Sequence, residues 1–328
     1  MIMALRDNVT EAMLEYFPIP GDKQYPGRPF YFKDYTDNLY CSMDKKAEQA
    51  YLAGDGDELL LQKRIFGNWE VICPPKMGSV ASSSAMTFNL LGNDPAVIPE
   101  DRFLPAGVYD VQYEKKMYTI CAGDHPANLD AFLSNEADKT AIFCEMKMLE
   151  WLEPSKKLKD TYRKRRYYFT SDETAVNFPI DAFEAFQSVI DEVIAAEFVC
   201  YDAWQMLWHL LAIYNYTSYT TQKAVDAYSE YPSMAGKYNR IVLANVVNEF
   251  PPERIRDRKT RDEYIAALHK EQSEARCFMH IIRNSEIPHL FDNNCNAGIY
   301  VQYLSAKDFA DCLDMPQAKM DYLKRYYT

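Results

Sequence analysis

Two short apolar runs stand out in the pattern of hydrophobic and polar positions near the middle of the chain. They cover residues 128–134 and 140–148, are rich in β-branched and aromatic side chains, and are separated by the polar segment 135–139. Two such runs on either side of a polar turn are typical of a β-hairpin. Both runs lack a regular polar face, so we expect strands that are buried on both sides.

The turn sets the register of this hairpin and therefore decides which side chains meet across it. If Asn135 and Thr140 close the turn, Asp130 lies opposite Glu145. Directly opposed residues of an antiparallel pair are roughly 5 Å apart at Cβ. Side chains alternate along a strand, so Lys147 shares a face with Glu145. The pattern therefore predicts that two carboxylates and one ammonium converge on one spot.

The rest of the pattern predicts an alternation of helices and strands. Helices are expected over residues 1–17, over 47–66 in two pieces broken at 54–56, near 84–91, as two consecutive helices within 179–216, and over 262–283 and 305–313. Strands are expected over residues 69–73, 108–120, 239–250 and 297–304. This order predicts an N-terminal helical extension (1–67) packed on an α/β core (68–250), and a C-terminal α/β extension of the same domain (251–328).

Composition and charge narrow the function classes. The 328 residues are 48% hydrophobic and 26% charged, and the formal net charge is −12, so any contact with nucleic acid must be local. The eight cysteines form no CxxC pair, which indicates buried thiols in a reducing cytoplasm. The amphipathic N-terminus and the lack of any long apolar stretch predict no signal peptide and no membrane partner. HExxH, glycine-rich phosphate loops and G-x-S-x-G are missing from the sequence.

The three charged residues of the hairpin have a definite chemistry. Two ionised carboxylates this close repel each other unless a cation neutralises them. Mg²⁺ prefers oxygen ligands and keeps waters that a substrate phosphate can displace, and Mn²⁺ is a second candidate. A metal polarises a phosphoryl oxygen, while Lys147 beside it could hold or deprotonate the attacking water. Asp130, Glu145 and Lys147 are therefore candidates for hydrolysing a phosphodiester.

The spacing of these residues resembles a known family. Asp130, fourteen intervening positions and then Glu145-Met146-Lys147 on the following strand look like the motif of the PD-(D/E)XK, or restriction-endonuclease-like, nuclease superfamily. Leu129 stands where that motif has its nominal proline. The resemblance implies a restriction-endonuclease-like α/β core, with a central mixed β-sheet flanked by helices. It also implies Mg²⁺-dependent cleavage of DNA, metal ligation by Asp130, Glu145 and the Met146 main-chain carbonyl, and catalysis by Lys147.

Two further site residues follow from the same resemblance. Many members supply an additional acid from an upstream element, for which Glu114 is the candidate. In some members a glutamine on the helix after the catalytic strand faces the site, and Gln205 is the candidate here; a backbone group or His209 is its alternative partner. Because many relatives cut two strands by pairing two subunits, a homodimer is compatible with the resemblance.

A basic segment follows the hairpin, and its local net charge is positive although the chain as a whole is acidic. Its cations are Lys156, Lys157, Lys159, Arg163, Lys164, Arg165 and Arg166. Tyrosines 162, 167 and 168 lie among them and could stack on bases. We expect this segment to contact DNA; the alternative is a solvated helix face. Ser82–84 similarly mark either a phosphate site at a helix start or an ordinary N-cap.

Three functions remain open from the sequence. The first is a metal-dependent nuclease that uses the hairpin residues. The second is a non-catalytic member of the same fold that binds nucleic acid or a partner protein. The third is an unrelated α/β interaction protein in which the charged residues form a structural ion-pair cluster. The structural alternative for the motif itself is that Glu145 and Lys147 form an exposed pair on one face of an edge strand, with Asp130 as a hydrogen-bonded residue at a strand end.

Overall fold

The structure is a computed structural model, and it describes residues 5–54, 57–66, 69–119, 126–153, 160–163 and 178–327. The helices in these residues are α1 (Leu5–Tyr16), α2 (Lys45–Ala53), α3 (Ser83–Leu91), α4 (Ile180–Ala196), α5 (Ala203–Thr217), α6 (Gln222–Tyr228), α7 (Arg258–Asn284), α8 (Ile287–Cys295), α9 (Ala306–Cys312) and α10 (Gln317–Tyr327). The strands are β1 (Gln24–Tyr25), β2 (Arg28–Phe32), β3 (Gln62–Phe66), β4 (Trp69–Cys73), β5 (Ala96–Ile98), β6 (Gly107–Met117), β7 (Ala127–Asn135), β8 (Thr140–Lys147), β9 (Arg240–Val247) and β10 (Gly298–Ser305).

A central six-stranded mixed sheet organises the α/β fold. Its strand order is β10-β9-β8-β7-β6-β5. Strand β7 is antiparallel to β6 and β8, whereas β9 is parallel to both β8 and β10. Two separate hairpins, β1–β2 and β3–β4, lie outside this sheet. The middle strand, β8, is buried from Thr140 to Met146, as expected for a strand covered on both faces.

Helices cover the central sheet on both faces. Ile142 and Cys144 of β8 point into a core that includes residues of α3, α9 and α10. Ala141 and Phe143 point the other way, into a core formed with α4, α5 and α8. This alternation puts Glu145 and Lys147 on the α5 face. The second core also takes Ala275 from α7, which brings the C-terminal third of the chain against the same face.

The predicted hairpin is confirmed in position and in register. Strands β7 and β8 match the two apolar runs to within a residue or two at each end, and Asn135 pairs with Thr140 as the turn requires. The strands expected over 69–73, 108–120, 239–250 and 297–304 correspond to β4, β6, β9 and β10. The two helices expected within 179–216 are α4 and α5.

The N-terminal third departs from the helical prediction. Only the first half of the helix expected over 47–66 exists, as α2, and the second half contains strand β3, which pairs with β4. Leu59 is buried, but Leu60 and Leu61 are exposed, and Ile65 is 78% exposed. The leucine run therefore supplies no continuous apolar helix face, and cross-strand pairing decides the local structure. The hairpin also crosses the boundary placed at residue 67, so the extension is not purely helical.

The cysteines are only partly buried. Of the seven within the described ranges, Cys144, Cys295 and Cys312 are buried free thiols, whereas Cys41 and Cys277 are exposed. The prediction of buried thiols is therefore wrong for Cys41 and Cys277. A helix with the length and apolarity needed to cross a bilayer is not found among the described residues.

Candidate active site

The hairpin brings the first two predicted residues together. Ala131 pairs with Cys144, and one further step along the same register places Asp130 beside Glu145. The Asp130 Oδ2 atom accepts a hydrogen bond of 2.6 Å from the Met146 main-chain N–H. This contact joins β7 to β8 just beyond the backbone pair Ala131–Cys144. Asp130 and Glu145 therefore lie on adjacent strands at the same level of the sheet.

Glu145 is the centre of a closed polar network. Its side chain is buried, and its Oε1 atom accepts from Lys147 Nζ at 2.7 Å and from Gln205 Nε2 at 2.7 Å. Its Oε2 atom lies 2.9 Å from His209 Nε2, which must donate because an ionised carboxylate only accepts. Burial alone would raise the pKa of Glu145, but Lys147 and His209 outweigh it and lower the pKa to about 2. Glu145 is therefore ionised at every pH at which the protein would work.

Lys147 is held by the same network. Its Nζ atom donates to Glu145 and, at 2.6 Å, to Gln205 Oε1. Burial opposes the charge, but Glu145 and Glu150 outweigh it, so the pKa of Lys147 is raised above its usual value. The side chain is an ammonium at neutral pH. As an ammonium it can hold a water or a phosphoryl oxygen, whereas deprotonating the attacking water would first require loss of this proton.

Asp130 carries the opposite perturbation. The pKa of Asp130 is raised well above its usual range, because its carboxyl is desolvated and because Glu145 and Glu114 repel its charge. Only the Met146 N–H bond and the charge of the Lys147 ammonium act in the other direction. A cation beside Asp130 would relieve this repulsion.

Glu114 lies on the next strand at the same level. It falls between the pairs Tyr113–Ala131 and Lys115–Leu129, opposite Asp130, and it has a φ of 52°. Its carboxylate accepts a hydrogen bond from the Asn128 side chain. The φ of Glu114 lies in the left-handed region, and its negative charge contributes to the raised pKa of Asp130.

Gln205 is the residue that the resemblance places on the helix after the catalytic strand, and it contacts both Glu145 and Lys147. Asp202 caps the N-terminus of α5 by accepting from the Gln205 main-chain N–H at 3.1 Å, which fixes the first turn of the helix. One turn later, His209 reaches the same glutamate from the same helix face. The alternative partners considered for Gln205, a backbone group or His209, are not the ones that its side-chain amide contacts.

The oxygen atoms at this position match the donors that Mg²⁺ or Mn²⁺ prefers. Asp130 and Glu145 supply two carboxylates on adjacent strands, and one ammonium does not balance the charges of these two acids and Glu114. Within the described ranges, no three His, Cys, Asp or Glu side chains form a ready metal-binding cluster. Both Glu145 oxygens already accept hydrogen bonds, so a metal would have to replace part of the network formed by Lys147, Gln205 and His209.

The predicted nucleic-acid segment is not assembled with this site in the described residues. Arg163 forms an exposed ion pair of 2.8 Å with Asp191 of α4. Tyr162 is buried, and its ring packs edge-on against Trp208, so its proposed role in base stacking is wrong. The other members of the segment lie outside the described residues: Lys156, Lys157, Lys159, Lys164, Arg165 and Arg166.

A cleft of about 170 Å³ opens beside Lys147. Its walls include Lys147, Gln205, Asn245, Asp202 and Glu271. Glu271 lies on α7 and is not part of the hairpin motif, so the motif did not predict it.

The sequence contains a signal for Glu271 that lies outside the hairpin motif. This glutamate occupies the buried stripe of α7, whose other members include Tyr264, Leu268, Ala275, Phe278 and Ile282. An ionisable residue on such a stripe needs a reason, because burying a charge is costly unless it is paired.

Comparison of the chain with protein-family models, with curated proteins and with solved structures finds no match.

Proposed function

We propose that this protein is a metal-dependent nuclease that hydrolyses phosphodiester bonds of DNA. The observation that carries the proposal is the contact network of Glu145, Lys147 and Gln205, with Asp130 one strand away and a cleft beside the lysine. The charged motif itself lies on two strands. Gln205 lies 58 residues beyond Lys147, on α5, and its contacts with Lys147 and Glu145 support the position that the resemblance gives it.

The order of elements supports the restriction-endonuclease-like assignment. Such a core requires a helix, a strand, a strand-turn-strand unit and a helix. Here α3, β6, the β7–β8 hairpin and the α4–α5 pair follow in that order, and β9 then joins the sheet beside β8. The motif residues lie on the two central antiparallel strands, as the resemblance requires.

Mg²⁺ or Mn²⁺ would be held by Asp130, Glu145 and the Met146 carbonyl, and when bound it would polarise the phosphoryl group and neutralise its charge. The chain's own groups then have distinct tasks. Lys147 holds a water or a non-bridging phosphoryl oxygen as an ammonium donor. Gln205 fixes the position of Lys147 and keeps it beside Glu145. Asp130 supplies a second carboxylate, and a cation beside it would relieve the repulsion from Glu145 and Glu114.

The experiment is a cleavage assay on supercoiled and linear DNA with Mg²⁺, Mn²⁺ or EDTA. The site variants are Asp130→Asn, Glu145→Gln and Lys147→Gln, and the matched controls are Glu100→Gln and Lys307→Gln, which alter exposed residues of the same types. Each site variant should lose about 100-fold or more in rate, the usual cost of removing a charge-stabilising group, while the controls keep the wild-type rate. Cleavage that persists in folded Glu145→Gln and Lys147→Gln would remove these residues from the mechanism.

One observation favours a second candidate, a non-catalytic protein that binds nucleic acid or a protein partner. Both Glu145 oxygens already accept hydrogen bonds from Lys147, Gln205 or His209, so this carboxylate has its partners without a metal. Under this alternative, the wild-type protein binds DNA or a partner without turnover in either metal. Calorimetry would then detect no Mg²⁺ or Mn²⁺ binding that depends on Asp130, and Asp130→Ala would leave the affinity for the partner intact.

A further inference from the structure

Glu271 is a buried acid that the proposed mechanism does not yet use. It is 1% exposed, and its Oε2 atom has no hydrogen-bond partner among the described residues. It lies in the wall of the cleft that also contains Lys147 and Gln205. A buried oxygen without a partner costs free energy, so its presence on an otherwise apolar helix stripe points to a role in the cleft.

The surroundings of Glu271 favour its neutral form. Burial is the largest effect, and the negative charges of Glu274 on α7, Asp202 at the start of α5 and Glu249 after β9 add to it. The Lys147 ammonium on β8 acts in the opposite direction but does not cancel them, and the pKa of Glu271 rises to about 8. The side chain is therefore mostly a carboxylic acid, with an O–H to donate, at neutral pH.

The neighbouring acids are already committed to other contacts. Glu274 accepts from the main-chain N–H groups of residues 199–201, at 2.8 to 3.1 Å. Asp202 caps α5, and Glu249 accepts from Gln272 at 2.9 Å and from Tyr303 at 3.0 Å. Lys147 already donates to Glu145 and to Gln205. Among these residues, Glu271 alone combines a position in the cleft wall with a transferable proton.

We propose that Glu271 is the general acid of this site and protonates the leaving oxygen of the phosphodiester. This inference rests on the proposed nuclease function. In the step, a water oxygen forms a bond to phosphorus, and the bond from phosphorus to the leaving oxygen breaks with its electron pair. The Glu271 proton passes to that oxygen and yields an alcohol. The proton lost by the attacking water goes to solvent, from which Glu271 is reprotonated.

The test compares Glu271→Gln with wild type on two substrates in Mg²⁺. One is DNA, whose alkoxide leaving group needs a proton, and the other is a p-nitrophenyl phosphodiester of thymidine, whose leaving group does not. Glu271→Gln should lower kcat on DNA by about 100-fold or more and change kcat on the p-nitrophenyl ester by no more than about threefold, because general acid catalysis is worth 10²–10⁴. Glu263→Gln, an exposed change on the same helix, is the matched control.

The pH profile supplies a second readout. Wild-type kcat on DNA should fall on the alkaline side with a midpoint near the pKa of about 8, and Glu271→Gln should lack this decline. An equal loss on both substrates would assign Glu271 a structural role and overturn the proposal, as would an unchanged kcat on DNA. Both results leave the nuclease function standing, whereas a wild-type protein that cleaves neither substrate rejects the two proposals together.

Discussion

Two buried glutamates near the same cleft are held in opposite charge states by their partners. Glu145 receives donors from Lys147, Gln205 and His209, and its pKa is about 2. Within the described part of the chain, Glu271 has an oxygen without a partner and acidic neighbours, and its pKa is about 8. Both side chains are nearly inaccessible, so burial alone does not distinguish them. The difference comes from hydrogen-bond donors and nearby charges, and it assigns an anion to one position and an acid to the other.

The state of Glu271 can be tested through stability without any substrate. Because its pKa in the folded protein lies above the ordinary value of 4.5, its favourable contribution is complete below about pH 4.5 and is lost as the pH rises to about 8. Wild type should therefore lose stability relative to Glu271→Gln across this window, by up to about 1.4 kcal/mol per pH unit. Urea unfolding at several pH values measures the difference. Parallel curves for the two proteins would contradict the raised pKa.

Lys147 should matter for stability as well as for activity. Lys147→Gln leaves the Glu145 carboxylate buried with one fewer donor, and breaking a buried pair in this way costs about 3–5 kcal/mol. The double variant Glu145→Gln/Lys147→Gln removes both charges and should recover most of this loss. Lys307→Gln, which breaks an exposed pair with Asp311, should cost less than about 1 kcal/mol. Denaturant unfolding of wild type and the three variants measures these free energies. A double variant as unstable as Lys147→Gln would show that the unpaired Glu145 charge is not the cause of the loss.

Short-range register made part of the site predictable. The turn between Asn135 and Thr140 is enough to place Asp130 beside Glu145. Once the turn fixes the first pair of an antiparallel hairpin, each step back along one strand is matched by one step forward along the other. Gln205 required the family resemblance, since no local pattern tells which residue of an apolar helix faces a site. Glu271 was missed because its contact depends on how α7 packs on the sheet. The sequence shows only that an acidic residue lies on the apolar stripe of α7, and this does not indicate which residues it would contact.

At the scale of elements, the most accurately predicted strands are the buried ones. Strand β8 is a short run in the centre of the sheet, buried from Thr140 to Met146. Its length and the turn residues before it favour a buried strand over a helix. Strand β3 was mistaken for a helix because three consecutive leucines precede it. Its structure depends on pairing with β4 in a small exposed hairpin, where neither helical nor alternating periodicity is strong. Hydrophobic periodicity therefore predicts secondary structure correctly for segments buried in the core and fails for exposed segments such as the β3–β4 hairpin.

The start of α3 separates two interpretations of its serines. Ser82 is the N-cap and accepts from the Ala85 N–H at 3.1 Å, which is an ordinary capping contact. Ser82→Ala should therefore lower the free energy of unfolding by about 1 kcal/mol. It should leave DNA affinity unchanged, because the hydroxyl is engaged within the helix. Thermal unfolding and a DNA-binding titration measure the two effects; a loss of affinity without a loss of stability would favour the phosphate-binding interpretation instead.

At the scale of the whole molecule, charge opposes the proposed substrate. The net charge of −12 repels DNA at long range, so binding must depend on a local concentration of cations. The segment with Lys156, Lys157 and Lys159 is the strongest such concentration in the sequence. The cleft itself has Lys147 beside several acids, so it contributes little attraction to a polyanion.

This division of labour predicts how DNA affinity depends on salt. Each phosphate contact by a cation releases condensed counterions, and the slope of log K against log salt changes by about 0.9 for each contact on duplex DNA. The triple variant Lys156→Gln/Lys157→Gln/Lys159→Gln should therefore reduce the magnitude of the slope by about 2.7 if all three lysines contact phosphates. Fluorescence anisotropy with a DNA duplex between low and moderate salt measures it.

The control is a second triple variant with the same change in net charge, Lys33→Gln/Lys237→Gln/Lys307→Gln, whose lysines are exposed and dispersed. If the basic segment binds DNA as a unit, this control keeps the wild-type slope and shifts affinity only slightly. Equal effects of the two triple variants would mean that affinity follows net charge alone. The basic segment would then be a solvated face, and the substrate would have to be positioned by the site on β7, β8 and α5.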